Sequence, residues 1–448
     1  MNRVMRQLQP HRALAATDSR ALPNEPVRLS IHFFAFAIFS FALGAATAPW
    51  AAVKLADYFY QLPVLAWVHT FTLGWITSAM LGVMYRYVPA MTGRELRFPR
   101  LALVQWVMYF LGATGVMAHF MLGSWDGVWM AGAVVAVSVI LFAINIAPCL
   151  APNFGRGAAE TGMLMAIVFL FCAGAWGSVL AFDKGRGFIP GTVLRNLSAH
   201  AHLAILGWVT LTMCAVSYRF MTALVADEAQ VPRFAMVQLF ALAAATVALF
   251  VALMAGVENL ALWASVVGAA LAVYAVTLRR IVASHGTPGG WTMRHAQAAL
   301  VCLLLAAAAG IALAVTGAGS AFGNRLVCAY GVLGILGWVS NFIIGMSYQL
   351  FAGFVARARS ALGWPHLSVG ELSVTTGRPL VFCALNGGVL LMTGGLLGDR
   401  ISVTVTGASL IALAGLAYSA AMAWTLSFAY RQGTPPESGR MLRAVQDS

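Results

Sequence analysis

The chain has 448 residues, of which 61% are hydrophobic and only 9% are charged, and its mean hydropathy is +0.83. A soluble domain carries about 25% charged residues, so this composition excludes an ordinary cytosolic globule, a disordered chain and a secreted disulfide scaffold. The formal net charge of +13 also suits a nucleic-acid-binding protein, so the positions of the cations must decide what it means.

Long apolar runs follow one another from residue 30 to residue 430, between polar tails at 1–29 and 431–448. Each membrane crossing needs roughly 20 apolar residues, so the length accommodates about twelve crossings. Lipid offers no partner to backbone polar groups, and the crossings must therefore be helices. The sequence predicts an all-α, polytopic membrane protein. The predicted spans are 30–50, 62–88, 100–122, 125–147, 158–182, 195–222, 232–255, 258–281, 293–317, 322–352, 375–398 and 401–430.

The cations are distributed unevenly between the two sides of this topology. With the N-terminus in the cytoplasm, 21 of the 27 Lys and Arg residues fall in inside segments and 6 in outside segments. Cytoplasmic segments carry an excess of Lys and Arg. This predicts a bacterial-type inner membrane protein in contact with the lipid bilayer, with both tails cytoplasmic. The net positive charge is explained by this topology, so it does not indicate a nucleic-acid partner.

A repeated segment divides the chain into three parts. Residues 69–86 (HTFTLGWITSAMLGVMYR) and 202–219 (HLAILGWVTLTMCAVSYR) are identical at nine of eighteen positions, and residues 332–349 are a weaker copy. The copies are 133 and 130 residues apart, which is four helices in each case. The repeat predicts pseudo-threefold symmetry with spans 2, 6 and 10 innermost, and regular α-helices in which Gly74 and Gly82 allow close helix approach. The predicted units are 30–147, 158–281 and 293–430.

Four histidines fall inside the membrane under this topology: His69, His119, His200 and His202. An intramembrane ionisable residue is a functional candidate by default, and neutral imidazole is a good ligand for haem iron or copper. His69 and His202 occupy the same repeat position. His200 and His202 project about 200° apart on a regular helix, so only one of them faces His69, and the sequence does not determine which.

Other residues have more ordinary interpretations. His32 and His295 open spans 1 and 9 at the membrane boundary, where interfacial anchoring is expected. The six cysteines are scattered singly without a C-x-x-C motif, so they are predicted to be small buried hydrophobes.

The twelve predicted helices, the histidines on spans 2 and 6 and the threefold repeat resemble subunit I of the haem-copper oxidases, especially the C-family oxidases. The strings HTFTLGW and YRYVPAMTGREL in and just after span 2, and AHAHLAILGWVTLTMCAVSYR on span 6, resemble short oxidase-I-like bacterial proteins. They are also similar to the NnrS family of haem-copper membrane proteins linked to nitric oxide metabolism. The resemblance implies a twelve-helix fold, a b-type haem and His69 as a ligand of that haem. It also implies a second ligand or a copper ligand at His202 or His200, a cytochrome or other redox partner subunit, and nitric oxide or another diatomic ligand.

The sequence departs from the oxidase pattern at two places. Span 322–352 contains no histidine, and Val332 occupies the repeat position of His69. Span 232–255 also lacks the histidines that a copper site requires. A single haem between His69 and His200 or His202 is therefore the largest cofactor set that the resemblance supports, and a complete oxygen-reducing centre is not expected.

Three functions follow from these observations. The first is a haem-binding membrane protein in respiratory electron transfer or nitrogen-oxide metabolism. The second is a twelve-helix secondary transporter, which the scarcity of intramembrane carboxylates disfavours. The third is a divergent oxidase or nitric oxide reductase catalytic subunit, which the missing histidines disfavour.

Overall fold

Twelve long apolar helices dominate the computed structural model, which describes residues 28–225, 233–283 and 290–433. The described residues contain no β-strand, and the predicted all-α polytopic architecture is confirmed. The twelve helices are α1 (Leu29–Ala46), α2 (Leu62–Thr92), α3 (Pro99–Leu122), α4 (Trp125–Asn153), α5 (Ala158–Asp183), α6 (Val193–Phe220), α7 (Phe234–Met254), α8 (Leu260–Ile281), α9 (Trp291–Thr316), α10 (Ala321–Ala361), α11 (Arg378–Leu397) and α12 (Ile401–Ser427).

The end of the first span differs from its prediction. The apolar run 30–50 predicted one helix, but α1 ends at Ala46 and a separate helix runs over Ala48–Asp57. Pro49 lies in the first turn of this second helix. Because proline has no backbone N–H, it cannot continue the hydrogen-bond ladder of α1, whereas it fits the first turn of a new helix.

The tenth helix is longer than its prediction. It contains 41 residues, which at 1.5 Å per residue gives a length of about 60 Å, roughly twice the thickness of a bilayer core. Part of α10 therefore extends beyond the membrane. The predicted tails 1–29 and 431–448 lie almost wholly outside the described residues.

Each inner helix contains an eight-residue π-helical stretch at the same place in the repeat. These stretches are Thr70–Thr77 in α2, Leu203–Thr210 in α6 and Leu333–Ser340 in α10. The prediction of regular α-helical turns is therefore wrong for these three stretches. A π-turn contains more residues than an α-turn, so it changes the direction in which the following side chains project.

Side-chain hydroxyls satisfy carbonyl groups within these π-helical stretches. Ser340 Oγ donates to the Ile335 carbonyl at 2.9 Å, and Ser78 Oγ donates to the Leu73 carbonyl at 3.1 Å. Tyr109 of α3 also donates to Leu73 O, at 2.7 Å. These bonds compensate for the altered backbone ladder, as buried carbonyl groups require.

Three indole groups tie the inner helices to one another in a closed cycle. We call these residues, with their acceptors, the tryptophan triad. Each indole N–H donates to a hydroxyl on a neighbouring inner helix. This hydroxyl stands two residues after the tryptophan of its own repeat copy. The bonds are Trp75 to Ser340 at 3.2 Å, Trp208 to Thr77 at 3.1 Å and Trp338 to Thr210 at 3.3 Å. The three repeats thus surround a pseudo-threefold axis, as the sequence repeat predicted.

Small residues bring each inner helix close to the helix that begins its own unit. A Cβ added at Gly74 would lie 2.5 Å from the Ser40 side chain of α1, and one at Gly337 would lie 2.9 Å from Cys302 of α9. Gly207 packs against Phe169 of α5 in the same way. Gly74 therefore has the role that the sequence predicted.

The cysteine prediction is correct in part. Cys149, Cys214, Cys302 and Cys328 are buried and free, whereas Cys172 and Cys383 are exposed on the outer surfaces of α5 and α11. An apolar run that faces lipid has no need to bury every small residue, so the prediction that all six are buried is wrong.

Candidate functional site

Two imidazoles at equivalent repeat positions have the same hydrogen bond. His69 Nδ1 lies 2.7 Å from the Leu65 carbonyl, and His202 Nδ1 lies 2.7 Å from the Ser198 carbonyl. A carbonyl oxygen only accepts, so Nδ1 carries the proton in both rings. In each neutral ring the lone pair is then on Nε2, which can bind a metal or accept a hydrogen bond. Metal-binding histidines are commonly oriented in this way.

The structure places His200, not His202, beside His69. The two ring centroids are 6.4 Å apart and the ring planes are inclined by only 19°. The two α6 histidines indeed face different sides of their helix, as their spacing predicted. We call His69 and His200 the imidazole pair. It joins α2 to α6 on the side of the bundle at which α2 begins.

His202 has a different partner. Its ring lies 6.1 Å from that of Tyr330 on α10, at an inclination of 24°, and its Nε2 lies 3.3 Å from the Tyr330 hydroxyl. Because His202 Nδ1 holds the proton, the hydroxyl donates to Nε2. The lone pair of this imidazole is therefore already used.

The two contacts follow one rule of the repeat. The repeat copies begin at residues 69, 202 and 332. In each contact, the first residue of one copy faces the residue that lies two positions before the start of the next copy. In the first contact these residues are His69 and His200, and in the second they are His202 and Tyr330. The corresponding third pair of positions holds Val332 and Trp67. Only the first contact has an imidazole on both sides.

Apolar groups surround the imidazole pair. The Phe120 ring of α3 lies 5.0 Å from His69, and Phe120 contacts Trp125 of α4 edge-on at 5.7 Å. On the other side, a Cβ added at Gly177 of α5 would lie 2.6 Å from Cε1 of His200. His200 Nδ1 is buried and makes no hydrogen bond. The pair therefore lies in a low-dielectric environment, in which the Ala173 carbonyl of α5 is a polar neighbour of His200 and a bound ligand or water molecule could pair the remaining nitrogen.

The fourth predicted histidine lies elsewhere in the bundle. The His119 ring packs directly against Gly127, at the junction of α3 and α4, and its buried Nδ1 has no hydrogen-bond partner. No three His, Cys, Asp or Glu side chains come together as a metal-binding group within the described residues. The geometry thus brings together two of the four candidates, His69 and His200.

Sequence reasoning missed two features of this region. It assigned no partner to His202, although Tyr330 stands at the same repeat position as His200 and carries a hydroxyl. It also did not predict that the N–H groups of Trp75 and Trp208 bond to hydroxyls of neighbouring inner helices in the tryptophan triad. Their conservation between repeat copies, together with the hydroxyl two residues later, was the available signal.

No protein-family model and no curated protein matches this chain.

Proposed function

We propose that this protein binds one b-type haem between His69 and His200, and that it acts in respiratory electron transfer or nitrogen-oxide metabolism in a bacterial inner membrane. One observation supports this proposal above all others, namely the separation and near-parallel orientation of the two imidazole rings.

The separation suits a single metal ion between the rings. A metal–imidazole bond is about 2.0–2.1 Å long. Two such bonds and two ring radii of roughly 1 Å add up to about 6 Å, against the 6.4 Å between the ring centroids. The hydrogen bond from His69 Nδ1 to Leu65 O fixes the tautomer that leaves Nε2 as the ligand atom.

The residues around the pair also fit a porphyrin better than a bare ion. One or two protein ligands and apolar walls suffice to hold a haem, whereas a structural or catalytic zinc or copper site needs three or more protein ligands. Phe120 and Gly177 flank the pair, and no third ligand approaches within the described residues. When bound, the haem would be held by His69 and His200 and would supply one-electron chemistry.

The two other functions have less support. Coupling ions and protons in transporters usually require buried carboxylates, and among the described residues Glu160 is the only buried carboxylate. An oxygen-reducing centre needs a three-ligand metal group, and the described part of the chain contains none.

The test is an absorption spectrum of the purified full-length protein with haem quantified per chain. We expect about one haem per chain, and loss of the reduced b-type signal in both His69→Ala and His200→Ala. His202→Ala is the matched control, since it removes an imidazole at the equivalent repeat position and should retain the haem.

A second measurement separates loss of a ligand from loss of folding. In His200→Gly, added imidazole should restore the spectrum, because the free ligand replaces the deleted side chain. A folded, colourless wild-type protein after supply of haem during expression would refute the proposal. So would equal haem loss in His202→Ala and His69→Ala while all variants remain monodisperse.

A further inference from the structure

A second buried polar cluster lies where α9, α10 and α11 meet, separate from the imidazole pair. Its centre is His295, which was expected to anchor at the membrane boundary. That expectation is wrong, because the His295 side chain is 0% exposed. Gly345 of α10 allows this burial, since a Cβ there would lie 2.7 Å from the Cβ of His295.

The hydrogen bonds of two asparagines determine the tautomer of His295. Asn341 Nδ2 donates to the Gly337 carbonyl at 3.0 Å and to Asn386 Oδ1 at 2.8 Å. Asn341 Oδ1 is therefore the atom that faces His295 Nδ1, at 2.8 Å. Because this oxygen only accepts, Nδ1 carries the proton. In the neutral ring, Nε2 then presents a lone pair, and this buried atom has no hydrogen-bond partner.

Two further polar groups lie near His295, a hydroxyl without a hydrogen-bond partner and a guanidinium without a carboxylate partner within the described part of the chain. The Tyr348 ring lies 5.8 Å from that of His295, and its buried hydroxyl makes no hydrogen bond. The Arg378 guanidinium carbon lies 4.5 Å from the centroid of the Tyr348 ring. Arg378 Nε donates to the Val374 carbonyl at 2.9 Å, but no carboxylate of the described residues forms an ion pair with Arg378.

We propose that Arg378, Tyr348 and His295 bind a small oxyanion of a weak acid together with one proton. A half-buried guanidinium favours a planar oxyanion, which it can hold through two parallel hydrogen bonds. The Tyr348 hydroxyl supplies another donor. The proton, taken from solvent, binds His295 Nε2, so that this atom becomes a donor to the anion as well.

The coupling of proton to anion follows from the charge of the cluster. Of the described residues, the charged or titratable groups that face His295 are Tyr348 on α10 and Arg378 on α11. The guanidinium opposes protonation of the imidazole, and a bound anion offsets that repulsion. Anion and proton together leave the net charge of the site unchanged, which avoids the cost of burying an additional charge. This inference does not depend on the haem.

The test is calorimetric titration of the purified full-length protein with sodium formate in two buffers of different ionisation enthalpy. We expect formate to bind with uptake of about one proton, and its affinity to fall about tenfold per pH unit once His295 is neutral in the free protein. Chloride, which has no planar oxyanion geometry, should bind at least tenfold more weakly. These titrations need only the wild-type protein, so they test formate binding and proton uptake without any variant.

Variants then assign the groups. His295→Gln should abolish the proton uptake, and Tyr348→Phe and Arg378→Gln should each weaken formate binding by about tenfold or more. Cys383→Ser, an exposed position on α11, is the control and should bind as wild type. Absence of formate binding to folded wild-type protein would overturn the proposal. Formate binding without proton uptake, or proton uptake that persists in His295→Gln, would overturn it as well.

Discussion

The Trp208 indole on α6 donates a hydrogen bond to the Thr77 hydroxyl on α2 across 3.1 Å. The same contact recurs between the other inner helices, so each one is fixed in height and rotation relative to its neighbour. His69 and His200 lie on these same two helices, eight residues before Thr77 and Trp208 respectively. The tryptophan triad is therefore the part of the fold that holds the imidazole pair in register.

Removal of the Thr77 hydroxyl should destabilise the bundle. In Thr77→Val, the N–H of Trp208 stays buried without an acceptor, and we expect the free energy of unfolding to fall by about 1–3 kcal/mol. The midpoint of thermal unfolding in detergent measures this change. Thr77→Ser is the matched control, because Ser340 already performs the same role at the equivalent position. Equal stability of the valine and serine variants would contradict the role given to the triad.

Gly177 should matter because it leaves room for the ring of His200. In Gly177→Ala, the new Cβ would lie 2.6 Å from Cε1 of His200, which is far inside van der Waals contact, so the ring must move. If a haem is bound, we expect at least tenfold faster haem loss to an acceptor protein. Gly174→Ala, one turn earlier on α5, is the control, since its nearest neighbour would be 3.9 Å away. Similar haem loss in both variants would show that the position of the His200 ring is unimportant.

The His202 contact offers a way to build a second site. Tyr330 occupies the position that His200 holds in the first contact, and the two pairs have similar ring separations and inclinations. We expect Tyr330→His to create a second imidazole pair and to raise the haem content from about one towards two per chain. Tyr330→Phe, which leaves His202 without an opposite ligand, should stay near one. A folded Tyr330→His protein that still binds one haem would mean that the second contact cannot open to admit a cofactor.

The orientation in the membrane can be tested independently of any cofactor. The excess of Arg and Lys predicts that the C-terminus lies in the cytoplasm and that the loop containing Lys184 and Arg186 lies outside. An alkaline phosphatase fused at the C-terminus should therefore be inactive, whereas one inserted after Lys184 should be active. The opposite pattern would reverse the topology.

Much of the fold was predictable because lipid imposes simple rules on a sequence. Helical spans follow from apolar length alone, and the threefold arrangement follows from the LGW segments at 73–75, 206–208 and 336–338. The prediction for His295 failed for a physical reason. Residues at span ends, such as His295, were assigned by depth alone, and depth does not reveal that α10 and α11 offer Asn341 and Asn386 as polar partners.

The sequence by itself determined the helical membrane class, the twelve helices and the repeat, and it predicted a depth for His69, His200 and His202 that stays a prediction. Only the tertiary structure decided that His200 faces His69 while His202 meets Tyr330. The physical reason is that hydropathy fixes where a helix crosses the membrane but not its rotation about its own axis. That rotation depends on the π-turns and on contacts with neighbouring helices, here the indole–hydroxyl bonds and the close approaches at glycine. The repeat marks these residues, but it does not specify which helix each of them contacts.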